Sequence, residues 1–402
     1  MLAGATAICA AALGAQSHTY HIRSKILGEE RTFHVNLPPN YSVARQRYQV
    51  TYLLDGHLKA FFDLAVASAG YDITTGGPHE FGIPPQIVVG VEQKQRSVDL
   101  GSNQDAFDRF LAEELVPYID KEFRTVPYRT LIGHSLGGRF ALYTVCRNPG
   151  MFPAIIAISP GFGDSTGFKA ITDCLRRDFT ANRTVLRQLV LTAGDQEGRL
   201  FAATVKLRDF VRDSAPPNWR MLLVDGSGLG HTDTPFAAIP RGIRFVHEAT
   251  VWEMPAAQGD SVTAGKGDEP GRRVAEFYKT LSARVGYAVA PSAKWLHTIA
   301  SAHLRHGEHD EGLAAAKRLT DEYPEDVDGW TVLTDACFAE RDNDCARRAL
   351  EEAIRVVDRM DFFDEGAHAT QKKFFNDNLQ RIQARPAPFP PAPPPPRSVP
   401  VT

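Results

Sequence analysis

The chain has 402 residues, 43% of them hydrophobic, enough for two or three domains at about 150 residues each. Its formal net charge of -3 and sequence pI near 6.5 show no basic excess, which argues against nucleic acid and anionic membrane as main partners. No apolar run reaches the roughly eighteen residues that a membrane-spanning helix needs, so the expected partners are a small molecule or another protein.

Leu2 to Ala15 is short, apolar and rich in small residues, and Leu13-Gly14-Ala15 before Gln16 resembles a signal-peptidase site, although no positively charged residues precede it. Residues 1–15 are expected to be a signal peptide and the mature chain periplasmic or secreted. A buried N-terminus of a cytoplasmic protein is the alternative. The five cysteines, Cys9, Cys146, Cys174, Cys337 and Cys345, have no metal-binding spacing. Buried free thiols are expected, with a Cys337–Cys345 bridge between facing helices as the alternative.

From residue 16 to 252 strand-like and helix-like runs alternate, the pattern of a mostly parallel sheet covered by helices. His18 to Leu27 and Arg31 to Leu37 read as strands joined by a hairpin at Gly28-Glu29-Glu30. Tyr48 to Leu54 is a strand ending in Asp55-Gly56-His57, before an amphipathic helix to about Ala69. Gln86 to Val91 is a buried-type strand, followed by a polar loop from Glu92 to Ser102 that holds Arg96 and Asp99. Asp105 to Phe123 reads as a helix with Phe107, Phe110, Leu111, Leu115 and Ile119 on one face.

Next, an apolar run from Tyr128 to Ile132 meets Gly133-His134-Ser135-Leu136-Gly137, and a helix-like run to Arg147 is stopped by Asn148-Pro149-Gly150. Strand, sharp turn and helix with serine at the turn make a nucleophile elbow, in which glycines two before and two after the serine let strand and helix approach. A bare Gly-x-Ser-x-Gly can occur by accident; the strand before it and the helix after it favour Ser135 as nucleophile. Ala154 to Ile158 is another buried strand, ending in Ser159-Pro160-Gly161. Val190 to Ala193 is a strand that breaks at Gly194 to Gly198, and Phe201 to Val211 reads as a helix. Arg220 to Val224 is the last strand; it opens into a glycine-rich loop, Gly226 to His231, before a helix from Pro235 to Phe245.

Residues 253–270, aperiodic and rich in Gly, Asp, Ala and Thr, read as a linker. Residues 271–384 read as helical with a 34-residue self-similarity: Leu296 matches Trp330, Gly312 matches Ala346, Ala316 matches Leu350 and Leu319 matches Ala353. Trp330-x-x-Leu333, Ala346-x-x-x-Leu350 and Pro324 fit the tetratricopeptide pattern. Two repeats fall short of the usual three, so added helices at Arg272 to Val285 and Phe362 to Gln383 are expected to cover the ends. Residues 385–402 are a proline-rich tail expected to be disordered.

Serine is a weak nucleophile without a base in hydrogen-bond reach, itself oriented by a carboxylate, and in a hydrolase sheet the chain order is Ser, acid, His. Ser135, Glu197 and His231 come in that order. His231 follows the last strand as the base should; His134, its competitor, is read as packing because neighbours on a tight turn diverge. Asp195 is the alternative acid. Glu197 is preferred because Asp195 sits where a turn is capped. The oxyanion donors should be the backbone amides of Leu136, after the nucleophile, and His57, after the third strand.

These residues resemble the putative-esterase family of α/β-hydrolases, which includes esterase D, the siderophore esterases and the antigen 85 mycolyltransferases. The likeness covers about residues 17 to 250 through Tyr52 to Gly56, Arg96 to Asp99, Gly133 to Gly138, Ser159-Pro160 and His231. Phe277-Tyr278-x-x-Leu281-Ser282-x-x-x-Gly286 leading into tetratricopeptide-like repeats is similar to a subset of that family. The resemblance implies an α/β-hydrolase that needs no cofactor and binds no metal, with Arg96 and Asp99 contacting substrate. Gly161-Phe162-Gly163 departs from the bulky aromatic stretch that often follows Ser-Pro there. The function expected is a serine carboxylic-ester hydrolase acting on a small-molecule ester through an acyl-enzyme, with a protein partner on the repeats. Acyl transfer of the mycolyltransferase type and an inert scaffold are the alternatives.

Overall fold

The computed structural model describes residues 17–75, 83–361 and 365–384. The expected signal peptide and proline-rich tail lie outside the described residues. The chain forms two compact units. The first comprises Met1–Tyr41, Gln46–Pro255 and Glu276–Ala290; the second comprises Ser42–Arg45, Ala256–Ala275 and Pro291–Thr402.

In the first unit β1 (Ser17–Arg23) and β2 (Glu30–Asn36) pair antiparallel, with Arg23 opposite Glu30 across the turn. Then come β3 (Tyr48–Leu54), α1 (Lys59–Thr75) and β4 (Gln86–Val91). The stretch expected as a plain loop carries a π-helical turn at Val98–Ser102. The long amphipathic helix is present as α2 (Gln104–Phe110) and α3 (Val116–Glu122) joined by a second π-helical turn. β5 (Thr125–His134) leads into α4 (Leu136–Arg147), followed by β6 (Ala154–Ile158), α5 (Ser165–Ala181), β7 (Arg187–Thr192), α6 (Arg199–Ser214), β8 (Trp219–Leu223), α7 (Thr234–Val246) and the single turn α8 (Ala249–Trp252).

The strand order is β1-β2-β4-β3-β5-β6-β7-β8, with β4 through β8 parallel. Every residue of β3, β4, β6 and β7 is buried, as a parallel sheet covered on both faces requires. β1 alternates and β8 is half-buried throughout, as befits strands with only one neighbour. This is the α/β-hydrolase architecture, and it presents the C-terminal ends of β3, β5, β6 and β7 side by side. Cys146 and Cys174, expected as free thiols, are bridged between α4 and α5 with Cα atoms 5.2 Å apart.

In the second unit the aperiodic stretch expected as a linker is helical over α9 (Ala256–Ala264), and its Val262 is fully buried. α10 (Glu269–Val285) follows, belonging to this unit up to Ala275 and to the first unit from Glu276, then α11 (Ala293–His306), α12 (His309–Glu322), α13 (Val327–Ala339), α14 (Asn343–Val357) and α15 (Glu365–Ala384). The starts of α11 and α13, and those of α12 and α14, are each 34 residues apart. Trp330 donates its indole N–H to the Pro324 carbonyl at 2.8 Å, which fixes the turn between the helix pairs. Cys337 and Cys345 are also bridged, with Cα atoms 5.6 Å apart; the alternative to free thiols is the one present.

Candidate active site

β5 runs without a loop into α4, so the one residue between them must turn the chain. Ser135 does so at φ 58 and ψ -116, a conformation that costs a non-glycine residue of order 1–3 kcal/mol and persists only where neighbours impose it. Its N–H donates to the Ile158 carbonyl at 2.8 Å, and its carbonyl accepts from Gly161 N–H at 3.1 Å. A Cβ on Gly133 would lie 2.2 Å from the Gly137 carbonyl oxygen, and one on Gly138 would lie 2.8 Å from that of Ile158. At Gly137 the nearest atom would be 3.5 Å away. The second indispensable glycine is therefore Gly138, not Gly137 as the motif suggested.

His231 and Glu197 meet behind this turn. His231 Nδ1 donates to Glu197 Oε2 at 2.8 Å, and the Glu197 side chain is 2% exposed. Glu197 Oε1 accepts from Ser159 Oγ at 2.7 Å and from Gly194 N–H at 2.6 Å. Burial alone would push this carboxyl up; the hydrogen bonds from His231, Ser159 and Gly194 outweigh it and hold the group below its usual range. Asp195 faces elsewhere: its Oδ1 accepts from Gly228 N–H at 3.0 Å and so pins the glycine-rich loop.

Two hydroxyls that sequence reasoning gave no role join this network. Ser159 Oγ lies 2.8 Å from Thr234 Oγ1, which lies 3.1 Å from the His231 carbonyl. Two hydroxyl protons cannot serve three contacts. Ser159 gives its proton to Glu197, and Thr234 can give its own either to Ser159 or to the His231 carbonyl, whose two lone pairs also take His134 Nε2–H at 2.9 Å. His134 thus does more than pack. Its ring lies 4.5 Å from that of His231, and burial, then the neighbouring His231, push its pKa down to about 4.

Gly56 N–H donates to the Val91 carbonyl and Leu58 N–H to Asp55, but among the described residues the amides of His57 and Leu136 have no backbone acceptor. A Cβ on Gly56 would lie 2.3 Å from the Gly90 carbonyl carbon, so this turn can reach its position only with glycine. Arg96 is clamped by both oxygens of buried Asp55, at 2.6 and 2.9 Å, and also donates to the His134 carbonyl at 2.8 Å; its side chain is 37% exposed.

Asp99 does not join the site. It is buried, its oxygens taken by Arg31 at 2.6 and 3.3 Å and by Lys94 N–H at 3.0 Å. An internal ion pair replaces the expected substrate contact. Among the described residues no hydrogen bond joins Ser135 Oγ to His231, and no group of His, Cys, Asp and Glu could hold a metal.

The profile of the family described as "Putative esterase" matches residues 24–232, just over half of the chain. YjcH, an uncharacterized protein of Bacillus subtilis (strain 168), is 38% identical over 146 residues, which are 34% of this chain and 58% of that protein. The alignment therefore spans less than two thirds of that relative. The ferri-bacillibactin esterase BesA of the same organism is 24% identical over 250 residues, 54% of this chain and 85% of BesA. An IroE-like serine hydrolase from Shewanella oneidensis shares the fold with a TM-score of 0.59 at 20% identity, covering 76% of this chain and 99% of that one. With a mostly parallel sheet, a serine on a strained strand-to-helix turn and a profile match from the β1–β2 turn to the histidine loop, the chain belongs to the putative-esterase family of α/β-hydrolases.

Proposed function

We propose that the protein hydrolyses small-molecule carboxylic esters with Ser135 as nucleophile, His231 as base and Glu197 as the acid that orients it. The observation that carries this reading is the hydrogen bond from His231 Nδ1 to a buried, ionised Glu197 on the loops that follow β7 and β8. It fixes the proton on Nδ1 and leaves Nε2 free to accept one. Ser135 Oγ attacks the ester carbonyl as its proton passes to Nε2, the His57 and Leu136 amides hold the oxyanion, and Nε2 returns the proton to the leaving alcohol. Water then attacks the acyl-enzyme by the same route. The Ser–His contact of such sites tightens when substrate is bound.

BesA is named for its action on ferri-bacillibactin, which supports a small-molecule ester as substrate. Residence outside the cytoplasm is supported by the apolar stretch Leu2 to Ala15 and by two disulfides. A tetratricopeptide-like platform for a protein partner is supported by the 34-residue spacing of the helix pairs.

The test is labelling with a fluorophosphonate followed by intact-mass analysis. The wild-type chain should gain one adduct and cleave esters; Ser135→Ala should do neither, with its melting curve nearly unchanged. Full activity in that variant would overturn the assignment.

A further inference from the structure

Four large apolar side chains stand exposed among the described residues: Leu58, Phe201, Phe236 and Phe374. Two of them converge on the elbow. Phe236, 54% exposed in the first turn of α7, packs edge-on against half-buried Phe61 with ring centroids 5.7 Å apart. Phe61 in turn packs edge-on against His134, the residue before the nucleophile, at 6.1 Å. Leu58, 40% exposed, lies one turn before Phe61, whose N–H donates to its carbonyl at 2.9 Å, and directly follows His57. An aromatic strip of Phe236 and Phe61, with exposed Leu58 one turn before Phe61, thus runs from solvent to His134 and its neighbour His231. Leaving a phenylalanine half in water forgoes burial that folding would otherwise favour, and an apolar surface next to polar reactive groups is the usual make-up of a ligand site.

We infer that Leu58, Phe61 and Phe236 form the subsite for an apolar portion of the ester, an alkyl chain of several carbons or an aromatic ring, and that Phe236 sets the preference for it. The inference rests on the hydrolase reading and deepens it. The apolar portion could belong to the acyl or to the alcohol half; both present the same surface to the strip.

Two ester series separate these sources: ethyl acetate, butyrate and hexanoate on one side, and ethyl, butyl and hexyl acetate on the other, with hydrolysis followed by acid release. The wild-type chain should favour the longer members of one series. Phe236→Ala should lower the ratio of kcat/KM for the six-carbon ester over ethyl acetate about tenfold, the scale of discrimination by an apolar pocket. Phe236→Leu should keep most of that ratio, and Phe374→Ala, in the helical unit, should leave it unmoved. The series that responds identifies the half that lies on the strip. A wild-type chain indifferent to length in both series, or a Phe236→Ala ratio equal to wild type, overturns the subsite. If no ester is cleaved and no fluorophosphonate adduct forms, the hydrolase reading itself falls and takes the subsite with it.

Discussion

Asp195 and Glu197 stand in one turn, yet one pins the loop at Gly228 and the other meets His231. Glu197→Gln keeps the shape but removes the charge that stabilises the imidazolium, and should cost about 10⁴ in turnover by analogy with the serine-protease template. Asp195→Asn, whose amide oxygen can still accept from Gly228 N–H, should change stability and rate little; a dead Asp195→Asn beside an active Glu197→Gln would swap the roles. Ser159 gives a pH prediction. Glu197 is held below its usual range, so its contribution to stability is present above the unfolded carboxyl value and is lost as pH falls through its own lower one. Ser159→Ala removes one of the bonds holding it down. The loss of stability on the acid side, read as melting temperature against pH, should therefore set in at higher pH in this variant than in the wild type; an unmoved profile would show that the hydroxyl is idle. The sequence positions of Glu197 and His231, each just past a strand, announced their pairing. Ser159 and Thr234 gave no such signal, because hydroxyls are common and these two meet only when loops 75 residues apart are folded together. Asp99 misled for the converse reason: its partner Arg31 lies 68 residues earlier, on β2.

At the scale of elements the elbow yields a sharp contrast. Gly137→Ala should be tolerated or slightly stabilising, since position 137 is helical with room for a methyl group and glycine inside a helix costs roughly 0.5–1 kcal/mol. Gly138→Ala, 2.8 Å from the Ile158 carbonyl oxygen, should lower the melting temperature by several degrees and depress activity. Equal melting temperatures for the two variants would refute the steric account. Strands β3, β4 and β6 are legible to the residue because buried parallel strands are continuous apolar runs. Helix α5 carried a readable signal that passed unused: Asp164 caps it by accepting from Thr166 and Gly167 N–H at 2.9 and 3.0 Å, and Ile171, Leu175 and Phe179 recur every fourth residue on its buried side. Helix α9 had no such pattern, since its packing depends on small residues: a Cβ on Gly259 would lie 3.2 Å from the Trp295 ring.

For the molecule as a whole the cysteines provide a global check. Unfolded without reductant, Cys146, Cys174, Cys337 and Cys345 should take no maleimide; after reduction all four should, as read by intact mass. In the chain-entropy account the Cys146–Cys174 loop, with a sequence separation of 28, is worth about 3–4 kcal/mol, so reduction should also lower the melting temperature. Before reduction, uptake beyond the single maleimide that Cys9 can take would mean that the bridges do not form.

The unit that carries Ser135 is not contiguous in the chain, because Glu276–Ala290 belong to it. The Leu186 N–H, at the entrance to β7, donates to the Arg284 carbonyl at 2.7 Å, and Gln49 on β3 donates to the Tyr287 hydroxyl at 3.4 Å. A ribosome adding about 5–20 residues per second therefore finishes every strand of the sheet seconds before it supplies the piece that closes them. During that interval the nascent sheet has a backbone donor and a seam of its core without their final partners. A message truncated between the codons for Val251 and Ala290 would encode every residue of the proposed reaction and still release a chain that proteases can recognise as unfinished.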